Sequence, residues 1–296
     1  MIVAAPVGFV GLGNMGSVLA ANLVGAGFAV VAHDASGPER APPGVTHVAS
    51  VADVARRSSV VVLSLPDGSA SEAVAREIAT ADDHRTTHVV DTSTVGVAAA
   101  QAIDELLAAH GVAYVDAPVS GGVAGARART LTVMFACADD ACEPVEPVLA
   151  GLSDRRIRVG DRPGLGQAMK LANNFLSATA LAATSEAVAF GTALGLDMAT
   201  MLEVFDASSG HNTATSDKFP NHVLTGRYAS GFTSSLMAKD VALYLRAVRS
   251  QDGPEAVGAV TGAVWERFAA DEPGADFTRI YPFVRGRGNG LSCFGE

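Results

Sequence analysis

The chain has 296 residues, of which 49% are hydrophobic and 18% charged, and it carries a formal net charge of −10. This length and apolar content predict two folded domains and exclude wholesale disorder. The acidic balance disfavours binding to nucleic acid and to anionic membrane surfaces, because their phosphates would be repelled.

Several signals indicate a cytoplasmic protein. The first residues lack the cationic segment of a secretory signal peptide. Cys137, Cys142 and Cys293 cannot all pair with one another, which predicts reduced thiols, with Cys137 and Cys142 as small core residues. Residues 171–196 are too polar for a membrane span and instead predict a long helix buried between domains or subunits. No spacing typical of a metal site is present, so no metal is expected.

Short β-branched runs alternate with helical stretches in the first part of the chain. This alternation is typical of parallel βαβ units with right-handed crossovers. We therefore predict an α/β fold whose residues 1–162 form a Rossmann-like, doubly wound, dinucleotide-binding domain. The predicted strands are 7–11, 28–33, 60–63, 88–91 and 112–116, and the predicted helices are 14–25, 51–57 with Ser50 as its N-cap, 69–79 and 97–109.

The β pattern disappears after about residue 161. Helices are predicted at 167–195, 198–205, 236–249 and 255–268, separated by Gly, Pro or Ser/Asn breaks. Residues 163–296 are therefore expected to form an all-α substrate and dimerisation domain, joined to the sheet domain by the first and longest of these helices.

A glycine-rich turn closes the first predicted strand and opens the first helix. In a G-x-G-x-x-G turn the first glycine permits the tight turn, the second lets the backbone approach a pyrophosphate, and the third allows close packing. Asp34, at the end of the second strand, would accept hydrogen bonds from the ribose hydroxyls of NAD. The turn consists of Gly11, Leu12, Gly13, Asn14, Met15 and Gly16.

Polar and turn residues follow the later strands as well. Leu65 and Pro66 follow the third strand and Thr94 lies just beyond the fourth, so all three are expected to line the cofactor at the carboxyl edge of the sheet. Ser120, Gly121 and Gly122 combine a hydroxyl with bare backbone N–H groups, which suits a carboxylate.

Only three of the 21 basic residues are lysines. Lys170 stands four residues before Asn174 at the start of the long helix, so the two side chains share a face. A lysine beside a nicotinamide can act as a general acid and base, a role that arginine cannot fill.

These segments resemble, in order and over nearly the whole chain, the 3-hydroxyisobutyrate dehydrogenase group of β-hydroxyacid dehydrogenases, a 6-phosphogluconate dehydrogenase-like family. The resemblance implies that Lys170 is the catalytic acid/base, that Asn174 helps to hold the substrate, and that Ser120, Gly121 and Gly122 bind its carboxylate. It also implies that Thr94 and Lys239 contact the cofactor. His211 and Asn212 stand where mammalian relatives commonly carry an arginine, in the region that shapes substrate choice.

The expected function is hydride transfer between NAD and the 3-hydroxyl of a small 3-hydroxy acid. Alternatives are a reductase of a small semialdehyde acid of the tartronate or succinic type, a 3-hydroxy amino acid dehydrogenase, and a non-catalytic NAD-binding scaffold. Asp34 favours NAD over NADP, with Arg40 interpreted as a solvated loop arginine that has no reason to fold inward. A homodimer or homotetramer is expected, because the long helix and the second domain carry more apolar surface than a monomer buries.

Overall fold

The structure, a computed structural model, describes residues 5–286. The predicted α/β class is confirmed: a mainly parallel sheet occupies the first part of the chain, and helices occupy the remainder. The strands are β1 Val7–Val10, β2 Val30–His33, β3 Val45–His47, β4 Val60–Leu63, β5 His88–Asp91, β6 Ala113–Asp116, β7 Val119–Ser120, β8 Thr132–Ala136 and β9 Arg155–Gly160.

The helices begin and end close to the predicted positions wherever the sequence carries a cap or a clear apolar period. Ser50, for example, accepts a hydrogen bond from the Asp53 N–H at 3.1 Å and caps the second helix as predicted. The helices are α1 Gly16–Gly25, α2 Val51–Arg57, α3 Gly68–Thr80, α4 Val97–Ala108, α5 Gly122–Arg127, α6 Asp139–Leu152, α7 Leu165–Ala193, α8 Met198–Asp206, α9 Ser234–Arg249, α10 Ala256–Asp271 and α11 Ile280–Gly286.

The sheet is doubly wound, as predicted. Its strand order begins β3-β2-β1-β4-β5-β6, all parallel, and the chain enters it in the middle at β1. Alternate strand residues face opposite sides: Phe9 packs with Leu19 of α1 and Leu149 of α6, whereas Val61 packs with Ile78 of α3 on the other side. Because the parallel strands end at one edge, the loops that follow them meet there.

Residues 117–161, to which the sequence assigns no individual elements, complete this sheet. β8 pairs antiparallel with β6 and β7, and β9 pairs parallel with β8. α6 contains Pro144 and Pro147, each of which removes a backbone donor, and this hides an otherwise amphipathic helix in the sequence.

The expectation that Cys137 and Cys142 are reduced is wrong, because the structure joins them in a disulfide. Cys137 follows β8 and Cys142 lies in the first turn of α6, and this tight connection brings their Cα atoms to 5.9 Å, within the disulfide range. Cys137 is fully buried, as predicted for a core residue. Cys293 lies outside the described residues.

The chain divides into two compact units, residues 1–170 and 171–296, and α7 continues through the division. The described part of the second unit is helical apart from an isolated bridge between Thr233 and Asp276. Its core forms around Trp265 and Phe268. The Trp265 indole N–H donates to the Ala178 carbonyl at 3.2 Å. Among residues 5–286 no helix combines the length and apolarity that a bilayer crossing requires.

Candidate active site

The glycine-rich turn has the geometry that its spacing predicts. Gly11 has φ +93°, and a Cβ there would collide with the Ser64 carbonyl oxygen. A Cβ on Gly16 would collide with the carbonyl oxygen of Gly11, so α1 packs directly onto the turn. Gly13 faces open space, with the nearest atom 4.0 Å from where its Cβ would be. The turn therefore leaves room for a pyrophosphate beside bare backbone, as a dinucleotide requires.

Asp34 lies at the end of β2 and is bonded to this turn. Its Oδ2 accepts a hydrogen bond from the Leu12 N–H at 2.5 Å, and its Oδ1 accepts one from the Ser36 N–H at 2.8 Å. Burial raises the pKa of Asp34, but these two bonds and the charge of Arg40 outweigh it, and the pKa lies below the ordinary value. The carboxylate is therefore ionised at neutral pH and fixed next to the turn.

Arg40 is solvated, as predicted, but its loop turns towards the glycine-rich turn, contrary to the expectation that it has no reason to fold inward. The side chain is exposed, yet its Nη1 is the atom nearest to the open side of Gly13, and its charge acts on Asp34. Pro38 starts a short 3₁₀ turn, Pro38–Arg40, that ends at this residue. Proline at the start of this turn fixes the backbone dihedral that a helical turn requires.

The sheet edge brings the predicted strand-end residues together. The Leu65 N–H donates to Ser93 Oγ at 2.8 Å, which joins the loops after β4 and β5. Pro66 follows Leu65 and Thr94 follows Ser93, so both lie along this rim, next to the glycine-rich turn after β1 in the strand order. Ser120 ends β7, and Gly121 and Gly122 lead from it into α5, with open space above Gly122.

Two buried carboxylates that were not predicted as site residues stand side by side at the same edge. Asp91 and Asp116 are register partners at the ends of β5 and β6, and both are fully buried. Burial raises the pKa of Asp91, which accepts hydrogen bonds from the Ser93 N–H and the Tyr114 hydroxyl. Burial also raises the pKa of Asp116 to about 6, against the opposing effect of hydrogen bonds from Gln167 and Gly164, and the Asp91 charge raises it further. The sequence signal was an Asp at the end of an apolar strand, which is equally typical of loop capping.

Lys170 lies in the second turn of α7 and is only 7% exposed. Three residues before it stands Gln167, which the sequence did not single out and whose side chain bonds to Asp116 and to the loop after β5. Burial of a lysine is costly unless the site uses or compensates its charge, so its position supports a functional role.

Asn174, also on α7, belongs to the second unit and is buried there with Asp240 of α9. Asn174 Nδ2 donates to Asp240 Oδ2 at 2.7 Å, and Lys239 Nζ lies 3.3 Å from Asp240 Oδ1. Asp240 was not predicted, and it fixes the orientation of the Asn174 amide by accepting from its nitrogen. The contacts of Asn174 and Lys239 with substrate and cofactor stay predictions.

The two residues expected to shape substrate choice have different local roles. Asn212 Oδ1 accepts from the Ala214 N–H at 2.7 Å and so stabilises the start of the π-helix Ala214–Val223. His211 is exposed, with Nδ1 3.2 Å from Asp206 Oδ1.

Together, the glycine-rich turn, the ionised Asp34 and the polar rim define a dinucleotide-binding protein of the Rossmann class. The sequence model described as the NAD binding domain of 6-phosphogluconate dehydrogenase matches residues 6–160. The one described as NAD-binding of NADP-dependent 3-hydroxyisobutyrate dehydrogenase matches residues 164–284. NAD(P) binding and oxidoreductase activity follow from these matches together with the relatives given next.

Known relatives identify the family. The chain is 34% identical over 300 residues to 3-hydroxyisobutyrate dehydrogenase of Pseudomonas aeruginosa, covering 95% of this chain and 99% of the relative. It is 34% identical over 266 residues to 2-(hydroxymethyl)glutarate dehydrogenase of Eubacterium barkeri, covering 88% of each. The solved structure of Mycobacterium tuberculosis 3-hydroxyisobutyrate dehydrogenase with L-serine superposes with a TM-score of 0.87 at 31% identity, covering 95% of this chain and 99% of that one. The chain belongs to the 3-hydroxyisobutyrate dehydrogenase family.

Proposed function

We propose that this enzyme oxidises the hydroxymethyl group of a small 2-substituted 3-hydroxypropanoate with NAD, and that Lys170 is its general acid and base. The compounds in the names of the relatives support this substrate class. 3-Hydroxyisobutyrate, 2-(hydroxymethyl)glutarate and L-serine each carry a carboxylate and a hydroxymethyl group on the same carbon, and they differ in the third substituent. The shared part is what a common reaction centre would recognise.

The residue roles follow from the chemistry of that shared part. Bound NAD would accept the hydride from the hydroxymethyl carbon. The substrate hydroxyl must lose its proton in the same step, and Lys170 is proposed to take it. Ser120 and the backbone at Gly121 and Gly122 are proposed to bind the carboxylate, and so to orient the hydroxyl. The observation that carries the proposal is the burial of Lys170 in a turn of α7 that is hydrogen-bonded to the strand-end rim.

The experiment is a substrate panel read as absorbance at 340 nm with NAD, run on the wild type and on Lys170→Ala. The panel contains 3-hydroxyisobutyrate, 2-(hydroxymethyl)glutarate, L-serine, L-threonine, and the reverse reaction with small semialdehyde acids. General acid–base catalysis contributes about 10²–10⁴-fold, so Lys170→Ala should lower kcat by about that factor while NADH affinity changes little. Lys218→Ala is the matched control, because Lys218 pairs with Asp217 within the π-helix.

Lys170→Arg sharpens the test, since arginine keeps the charge but cannot release its proton, and it should be as inactive as Lys170→Ala. Turnover close to wild type in either variant contradicts the role of Lys170. A preference for L-serine or L-threonine over 3-hydroxyisobutyrate would identify a 3-hydroxy amino acid dehydrogenase, the alternative that the serine-bound relative favours. Absence of turnover with every panel member would contradict the proposed substrate class.

We also propose that NAD is preferred over NADP. The ionised Asp34 would accept from ribose hydroxyls and would repel a 2′-phosphate, which carries nearly two negative charges. The position of Arg40 near Gly13 moderates this repulsion, because a guanidinium can pair with that phosphate. Two hydrogen bonds hold the Asp34 carboxylate next to the turn, whereas the Arg40 side chain is exposed. Repulsion of the 2′-phosphate by Asp34 should therefore outweigh its attraction by Arg40, which favours NAD.

A second copy of the chain is the proposed partner, and α7 the proposed interface. One face of this helix within the second unit is exposed and mostly apolar, with spacings of three and four residues that are typical of a helix-packing seam. Leu176 is 67% exposed and Phe190 is 69% exposed, two heptads apart. Between them the face carries Ala180, Ala183 and Ala187, whose small side chains allow a partner helix to approach closely.

A further inference from the structure

A fully buried glutamine stands at the first turn of α7. Each of the two polar atoms of this Gln167 side chain makes two hydrogen bonds. Its Oε1 accepts from the Val95 N–H at 2.9 Å and from the Gly96 N–H at 3.0 Å. Its Nε2 donates to the Ser93 carbonyl at 3.1 Å and to Asp116 Oδ1 at 2.7 Å. One amide thus joins the helix start to the loop after β5 and to the end of β6.

Asp116 holds the same turn through the backbone. Its Oδ2 accepts from the Gly164 N–H at 2.9 Å and from the Gln167 N–H at 3.0 Å. The first N–H groups of a helix have no partner within the helix, and a carboxylate placed there satisfies them and also interacts favourably with the helix dipole. The start of α7 is therefore attached to the sheet edge by a buried carboxylate as well as by the amide.

This attachment acts on both halves of the proposed reaction centre. Lys170 is three residues beyond Gln167, less than one helical turn of about 3.6 residues, so a shift of the first turn moves the lysine. Thr94, expected to contact the cofactor, lies between Ser93 and Val95, both of which bond to the glutamine through their backbone. A displacement of about 1 Å between reacting groups can cost on the order of 10²-fold in rate.

We propose that Gln167 is a positioning residue of the reaction, which fixes Lys170 relative to the loop carrying Thr94. The inference rests on the proposed function, because it gives Gln167 its effect through the acid/base. Apolar packing alone could hold the helix against the sheet. An amide that donates to two acceptors and accepts from two donors also fixes the position of the helix along the sheet edge and its rotation about its own axis.

The test replaces Gln167 by methionine, which has a similar length and no amide. Gln167→Met should lower kcat at least about tenfold, because the acid/base is displaced. The Kd for NADH should stay within about threefold, because the glycine-rich turn and Asp34, which are expected to bind the pyrophosphate and the ribose, are unchanged and only the loop after β5 is loosened. The limb of the kcat–pH profile assigned to Lys170 should also shift. Gln251→Met is the matched control, since the side chain of that exposed glutamine donates to the carbonyl of its neighbour Ser250, and its loss should leave kcat, Kd and the profile unchanged.

A second pair of variants keeps the test decisive if the methionine variant does not fold. Gln167→Glu places a carboxylate oxygen against Asp116 Oδ1, where the amide nitrogen donated, and should lower kcat strongly. Adding Asp116→Asn removes the second buried carboxylate and restores a donor opposite an acceptor at this contact, whereas the Ser93 carbonyl still faces a carboxylate oxygen, so the recovery should be partial. The double variant should recover at least about tenfold in kcat over Gln167→Glu, as expected for groups coupled through one hydrogen bond.

The outcomes separate this inference from the proposed function. Loss of turnover in Lys170→Ala, with wild-type kcat and pH profile in Gln167→Met, overturns the inference alone, even if the melting temperature falls. Failure of the double variant to recover turnover overturns it as well. Retained turnover in Lys170→Ala overturns the proposed function and the inference together. Lower kcat, an unchanged Kd for NADH, a shifted profile and recovery in the double variant support it.

Discussion

Asp116 should make the protein less stable as the pH rises, which is unusual for an aspartate. Burial raises its pKa in the folded state to about 6, from an ordinary value of 3.8. The folded state therefore binds this proton more tightly than the unfolded state does. The stabilisation that results is complete below the unfolded pKa and is lost as the pH rises through about 6.

The magnitude follows from the size of this shift. A difference of about 2 between the folded and unfolded pKa values corresponds to about 3 kcal/mol in the free energy of unfolding. About 2 kcal/mol of this should be lost between pH 4.5 and pH 8. Asp116→Asn removes the titration. Its amide nitrogen also faces Gln167 Nε2, which imposes a cost that is independent of pH. The pH-dependent part of the difference between wild type and variant therefore isolates the Asp116 ionisation.

The assay is urea unfolding of both proteins at several pH values and one protein concentration. The wild-type stability minus that of Asp116→Asn should fall by about 2 kcal/mol from pH 4.5 to pH 8. Asp197→Asn is the control: hydrogen bonds from Thr200 lower the pKa of the exposed Asp197, so its contribution changes only below about pH 4, and its difference should stay flat between pH 4.5 and pH 8. A difference for Asp116 that stays flat, or that rises with pH, would refute the reasoning.

Two further predictions concern the cofactor and the assembly. The kcat/KM with NAD should exceed that with NADP at least about tenfold, or by about 1.4 kcal/mol. Asp34→Asn should narrow this ratio, mainly by raising kcat/KM with NADP, whereas Arg40→Ala should widen it. Equal kcat/KM for both cofactors in the wild type would contradict this preference. Phe190→Asp should lower the molar mass measured by light scattering towards the 30.1 kDa of one chain. Val257→Asp, which changes an exposed residue of α10, should leave the mass unchanged. A wild-type protein of monomer mass would contradict the proposed interface.

The sequence by itself determined the elements whose signals are local. Val60–Leu63 and His88–Asp91 have the predicted bounds, because a short apolar run between breaks is a property of a few adjacent residues. The Ser50 cap and the glycine-rich turn follow equally from residues within one turn of each other. The family was recognisable for the same reason, since its motifs are short and stand in a fixed order.

Only the tertiary structure decided which side chains hold these elements together. Gln167 meets Asp116 across 51 residues and Val95 across 72, and Asn174 meets Asp240 across 66. The Cys137–Cys142 disulfide and the approach of Arg40 to Gly13 likewise depend on how a turn folds back. Such contacts have no period and no cap in the sequence. A buried amide is bonded through groups that approach it only after the sheet edge has formed, so only the folded chain distinguishes Gln167 from an exposed glutamine such as Gln251.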